Sequence, residues 1–113
     1  MDHEKLHVYR VALELSELLE RIVPKKGRPK LRDQLERSSD SIVQNICEGA
    51  GRTSRPAKQQ FYEIARGSAT ETAGSLALAR AKGLISAQDY WAAHALVVRV
   101  CQMLTRLSSP PRP

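Results

Sequence analysis

Aromatic residues are scarce in this 113-residue chain, at 4% in total with one Phe, one Trp and three Tyr. A core that has few rings must be filled with Leu, Ile, Val and Ala, a mixture that suits helices better than strands. Cysteine is nearly as rare. Cys47 and Cys101 stand far apart with no CxxC pair, which excludes a disulfide-stapled scaffold and fits a reduced, cytoplasmic chain. No apolar run approaches the roughly 18 residues of a membrane span. The first amphipathic segment is too charged for a signal peptide. Internal repeats, strand-like alternation and low-complexity tracts are missing as well.

What the chain does have is positive charge. Its formal net charge is +6, so its field favours polyanions. The charge is unevenly placed: residues 1–22 carry five acids and three bases, whereas 25–58 carry nine bases and four acids. Length and composition together predict one domain over 1–109, with Pro110, Pro111 and Pro113 closing the chain in a disordered tail, 110–113.

Four helical periods follow. Val8, Val11, Ala12, Leu15, Leu18, Leu19 and Ile22 recur at three and four, predicting a helix from Glu4 to Val23. Pro24–Lys30 interrupts it with two prolines and Gly27. A second helix is predicted over Leu31–Glu48, ended by Gly49 and Gly51, where positive φ is cheap. The third opens at Ser54 as N-cap with Pro56 in its first turn, and runs to Lys82 with Gly83 as its stop. Its expected inner stripe is Phe61, Ile64, Ala65, Ser68, Ala69, Thr72, Leu76 and Ala79. The fourth begins after Ser86, in capping-box register with Asp89, and continues to Leu107. It holds more apolar residues than one face needs, from Tyr90 and Trp91 to Leu107, so its surplus predicts a contact with a second subunit. Four helices with short joins predict an all-α, antiparallel up-down four-helix bundle.

On the second helix Gln34, Arg37, Ser41, Asn45 and Glu48 fall within roughly 80° of one another at about 100° per residue. They run beside the core stripe of Leu31, Leu35, Ile42, Ile46 and Gly49. That arrangement predicts a shielded polar network at a helix–helix seam, completed from the third helix by Ser68 and by Glu71 as ionic partner. An alternative is an active site in which Glu48 serves as general base beside Arg37 and Asn45, though no nucleophile, base and orienting group line up here.

The bases Lys25, Lys26, Arg28, Lys30 and Arg32 in and beside the first loop, with Arg52, Arg55 and Lys58 around the second, are the candidate nucleic-acid contacts. Phosphates need only reachable cations; the plain alternative is a solvated, solubilising loop. In an up-down bundle these sets lie at opposite ends. No base-reading or base-stacking module is visible in the sequence. His3 and His7, at i and i+4 with Glu4 between, lack a fourth ligand for a metal, and no cofactor is implied. Cys47, outside the core stripe, reads as a partly buried spectator or a reactive thiol.

The run QLERSSDSIVQNICEGAGR (Gln34–Arg52), followed by FYEIARGSATE (Phe61–Glu71), resembles the bacterial four-helix-bundle proteins of the 23S ribosomal RNA intervening-sequence family. Gln34, Leu35, Arg37, Ser41, Ile42, Asn45, Ile46, Glu48 and Gly49 carry the first motif, and Ile64, Ala65, Gly67, Ser68 and Glu71 the second. The initial Leu6, Val8 and Tyr9 also agree. Asp40 and Glu36 depart from the pattern, standing where the family often has apolar or basic residues. The resemblance implies an antiparallel bundle that assembles into ring-like homopentamers. It also implies RNA, DNA or a nucleic-acid enzyme such as a reverse transcriptase as partner. The expected function is therefore a non-enzymatic, oligomeric bundle that binds structured RNA or a nucleic-acid enzyme through basic loops. An interaction scaffold with incidental charge is the main alternative, and an enzyme at the second seam the lesser one.

Overall fold

The computed structural model describes residues 2–109; the tail expected at 110–113 lies outside them. Four helices follow in order: α1 (His3–Ile22), α2 (Pro29–Gly51), α3 (Arg55–Ala81) and α4 (Ala87–Ser108). They pack in a ring, α1 on α2, α2 on α3, α3 on α4 and α4 on α1, in an antiparallel up-down bundle measuring 48 × 21 × 19 Å. The joins between α1 and α2 and between α3 and α4 lie at one end. The join between α2 and α3 lies at the other, beside both ends of the described chain.

Caps account for most of the boundaries. Asp2 accepts from the Lys5 amide, Ser54 from Ala57 and Ser86 from Asp89, each satisfying an N–H that the helix leaves open. Gly83 ends α3 at φ +72° and Gly27 turns the first loop at φ +104°, both in the left-handed region that favours glycine. The second helix differs from expectation at both ends. It starts at Pro29, whose missing N–H is harmless in a first turn. It also continues through Gly49 and Gly51, neither of which takes positive φ. Gly49 is helical and small for another reason: the Tyr62 ring packs on it.

The core is aliphatic, as the composition requires, with Leu15, Leu35, Ile42, Ile46, Leu76, Val100 and Leu104 fully buried. Tyr62 is its one buried ring. On α3 the inner stripe runs Tyr62, Ala65, Ser68, Ala69, Thr72, Leu76 and Ala79. Phe61 and Ile64, expected inside, are not: Phe61 is half-buried beneath the Arg52 guanidinium and Ile64 is 44% exposed. The apolar surplus of α4 is largely absorbed by this chain. Leu96, Val97, Val100, Met103 and Leu104 are buried, and Tyr90, Cys101 and Leu107 pack against the core, which leaves Trp91 and Val98 outside. Those two, seven residues apart on one face, are what is left of the surplus expected to meet a second subunit. No helix among the described residues is long and apolar enough to cross a membrane.

Candidate nucleic-acid interface and the α2–α3 seam

The two basic loops have different fates. At the α2–α3 end all three cations are engaged within the chain. Arg52 pairs with Glu48 at 2.9 Å and its guanidinium lies 4.8 Å over the Phe61 ring. Arg55 donates to the Ser109 carbonyl at 2.6 Å, tying α3 to the end of α4. Lys58 Nζ donates to the carbonyls of Gly49 and Ala50, both at 3.3 Å, and so caps the C-terminus of α2. Burial and the neighbouring Lys5 hold the Lys58 ammonium below the usual lysine range. Arg52, Arg55 and Lys58, expected to meet phosphate, thus each have a partner within the chain.

The opposite end is different in kind. Arg32 is the exception there, a pin with a side chain only 19% exposed. Its guanidinium donates to the Val23 and Pro24 carbonyls at 3.2 and 3.4 Å and pairs with Glu20 and Glu36 at 3.4 and 2.9 Å. It thereby holds the end of α1 to the start of α2. Lys25 reaches Glu20 at 3.3 Å in a pair exposed on both sides, a geometry that contributes little. Lys26, Arg28 and Lys30 are exposed and form no ion pair among the described residues. They surround the N-terminus of α2, which has no side-chain cap and no acidic residue in its first turn. The positive end of the helix dipole is thus left uncompensated beside three free cations. Lys82, at the C-cap of α3, joins Gly27, Arg28 and Lys30 along a groove of ≈ 450 Å³. Sequence reasoning missed Lys82 because only the packing of the two loops brings it there.

At the α2–α3 seam a polar network does form, but it is smaller and uncharged. Ser41 Oγ and Ser68 Oγ are 2.7 Å apart, and Asn45 Nδ2 donates to the Ser41 hydroxyl and carbonyl at 3.0 and 2.8 Å. One turn on, Thr72 Oγ1 donates to Ser38 Oγ at 2.8 Å, both residues being buried. Ser38 and the Thr72 hydroxyl were not foreseen. Arg37 and Glu48 lie outside the network, in exposed i,i+4 pairs with Asp33 at 3.5 Å and Arg52 at 2.9 Å. Glu71 is exposed and pairs with neither, and Gln34 is exposed too. Long charged side chains at the edge of a core stripe reach water easily, whereas short hydroxyls cannot and must pair across the seam.

An open groove of ≈ 680 Å³ runs over this seam, bordered by Gln34, Arg37, Ser41, Ser68, Glu71 and Leu78. Its central hydroxyls are engaged with one another, and neither His nor Cys lines it. Elsewhere, His7 Nε2 lies 3.3 Å from the Arg99 guanidinium, a neighbour that opposes a metal cation. Among the described residues no group of three or more His, Cys, Asp or Glu side chains could hold a metal. Cys47 is exposed rather than partly buried, while Cys101 is half-buried and burial pushes its thiol up.

Bundle, seam and basic end together define a small four-helix-bundle protein whose motifs lie on α2 and α3. Residues 4–106 match the family model described as 23S rRNA-intervening sequence protein, and the chain belongs to that family. A solved structure shares the fold with a TM-score of 0.82 at 21% identity, covering 95% of this chain and 100% of the other. It is a protein of unknown function from the S23 ribosomal protein family of Bacteroides thetaiotaomicron. No curated protein matches the sequence significantly.

Proposed function

We propose that this protein is a non-enzymatic nucleic-acid-binding bundle that engages phosphates through one end only. The observation that carries this reading is the uncapped N-terminus of α2 ringed by Lys26, Arg28 and Lys30, cations with no internal partner. Lys25 and Lys82 extend the surface. An RNA, or a nucleic acid held by an enzyme such as a reverse transcriptase, is the partner that the family resemblance implies. Phosphate contacts of this kind position without reading sequence.

The test compares the two ends. Changing Lys26, Arg28 and Lys30 to Ser should weaken retention on immobilised RNA and leave the melting temperature unchanged. It should flatten the slope of log affinity on log salt by about two to three, the share of three phosphate contacts. Changing Arg52, Arg55 and Lys58 to Ser should instead lower the melting temperature and keep the slope. Unchanged retention in the first variant, or none by the parent in low salt, would leave a protein-interaction scaffold as the function.

A second reading, self-association, is supported by the outer face of α3. Ile64, Gly67, Glu71, Gly74 and Leu78 form one stripe at steps of three and four. Ile64 and Leu78 are 44% and 50% exposed, and a Cβ at Gly67 or Gly74 would meet nothing within 4 Å. Mid-helix glycine costs about 0.5–1 kcal/mol relative to Ala, and no contact within this chain accounts for it. A neighbouring helix approaching closely would. The homopentamer implied by the resemblance is the proposed assembly.

A further inference from the structure

Trp91 is the only tryptophan of the chain and the most exposed of its large hydrophobic side chains, at 61%. It is also braced. Its ring lies 5.0 Å from Tyr90 and 5.3 Å from His94, nearly perpendicular to both, while those two rings stack on each other at 5.6 Å. Tyr90 and His94 are themselves half-buried, so the trio is anchored. Such edge-to-face contacts fix a ring's orientation. Here they hold an indole in place with much of its surface open to water.

Its position gives that surface a use. Trp91 is four residues past the start of α4, about 6 Å along the axis, at the end where the α3–α4 join meets the α1–α2 loop. Leu84 of that join shares a crevice with Pro24 and Arg28. α4 and α2 stand diagonally across a section of 21 × 19 Å, so a flexible single strand would pass around this end of the bundle to join the indole to Lys82, Arg28 and Lys30. Around Trp91, Gln88, Ala92 and Ala95 are exposed, and Val98, two turns on along the same face, is the one other large apolar side chain left open on α4. One indole with one partly open valine is a narrow apolar strip for a protein-docking patch. This end has the parts of a single-strand site, where cations track the backbone and a ring receives a base.

We propose that Trp91 is a stacking platform for an unpaired base, so that the basic end binds single-stranded nucleic acid more tightly than duplex. The inference rests on the phosphate-binding reading above and deepens it. An RNA loop and single-stranded DNA offer the same chemistry, since every base has a π face.

Because Trp91 is the one indole, its emission reports this site alone. The full-length protein is titrated in low salt with oligo(U), oligo(dT) and a blunt RNA duplex, each of about a dozen nucleotides per strand. Single strands should quench the emission saturably, and the duplex should bind without quenching. A response to both homopolymers identifies the shared base chemistry, and a response to oligo(U) alone assigns the site to RNA. Trp91→Ala should weaken single-strand binding about tenfold, with melting temperature and duplex affinity unchanged, and Trp91→Phe should restore most of the loss. Single-strand binding without quenching, or undiminished binding by Trp91→Ala, overturns the platform and leaves the basic end standing. Failure of every nucleic acid to bind overturns both readings. Emission that shifts to the blue with protein concentration alone also overturns the platform, because it places a second copy over Trp91.

Discussion

A methyl group added at Gly49 would lie 2.6 Å from Tyr62 Cε1 and 2.9 Å from Cδ1. Tyr62 is buried and cannot swing away, so Gly49→Ala should destabilise the bundle by about 1–3 kcal/mol, the usual cost of overpacking. A thermal or urea melt reads that directly, and Tyr62→Leu in the same chain should recover part of the loss. Glu48→Ala, one residue earlier, should behave in the opposite way. Its carboxylate is in an exposed pair with Arg52, and such pairs are worth at most about 1 kcal/mol. A large drop for Glu48→Ala would mean that the seam network includes the charge after all. These neighbours show what was legible at this scale. The positions bordering the seam could be read from the helical period, and Ser41, Asn45 and Ser68 do meet there. Which of the polar residues point inward could not be read, because side-chain length decides it: hydroxyls stay at the seam while Arg37 and Glu48 extend to i,i+4 partners. Those partners, Asp33 and Arg52, were present in the sequence as the available signal.

Caps made the elements legible. Ser54, Ser86 and Gly83 mark starts and a stop that the structure keeps, because each satisfies or releases a backbone group by purely local means. The phase of α3 at its N-terminal turns was harder. Phe61 and Ile64 are the more hydrophobic choices, yet Tyr62 occupies the core and Ile64 faces out. The place for Tyr62 exists only because α2 presents a bare Gly49 opposite it, a tertiary fact. The two basic segments carry the same lesson at the scale of loops. Both read alike as charge, but one sits where helix C-termini and acceptor carbonyls take up its donors. At the other, Arg32 takes the carbonyls of Val23 and Pro24, while Lys26, Arg28 and Lys30 stand beside the start of α2, whose open backbone groups are donors. Which cations stay free therefore follows from where each lies relative to a helix start or a helix end, which the packing assigns and residue counts do not.

As a whole the molecule is a rod with unpaired cations at one end and one open flank. Lys26, Arg28, Lys30 and Lys82, cations in no ion pair among the described residues, gather at the tip formed by two loops, and the α3 stripe of Ile64, Gly67, Glu71, Gly74 and Leu78 runs along its side. If copies associate through that flank, the tips come into register on one rim, and several weak phosphate contacts act with an avidity that a single copy lacks. The parent should then scatter light as a species several times 12.6 kDa at micromolar concentration. Gly67→Gln with Gly74→Gln provides the discriminating variant. In a single chain both added side chains enter open space and replace glycine with a better helix former, so helix content and monomer stability should hold or rise. Across a close helix–helix contact the same side chains would force the backbones apart. The double variant should therefore be monomeric and well folded, and should bind RNA more weakly while keeping Lys26, Arg28 and Lys30 intact. A parent that sediments as a monomer would show that the flank is simply solvated. A double variant that keeps the parent's mass would place the contact between copies on a different face.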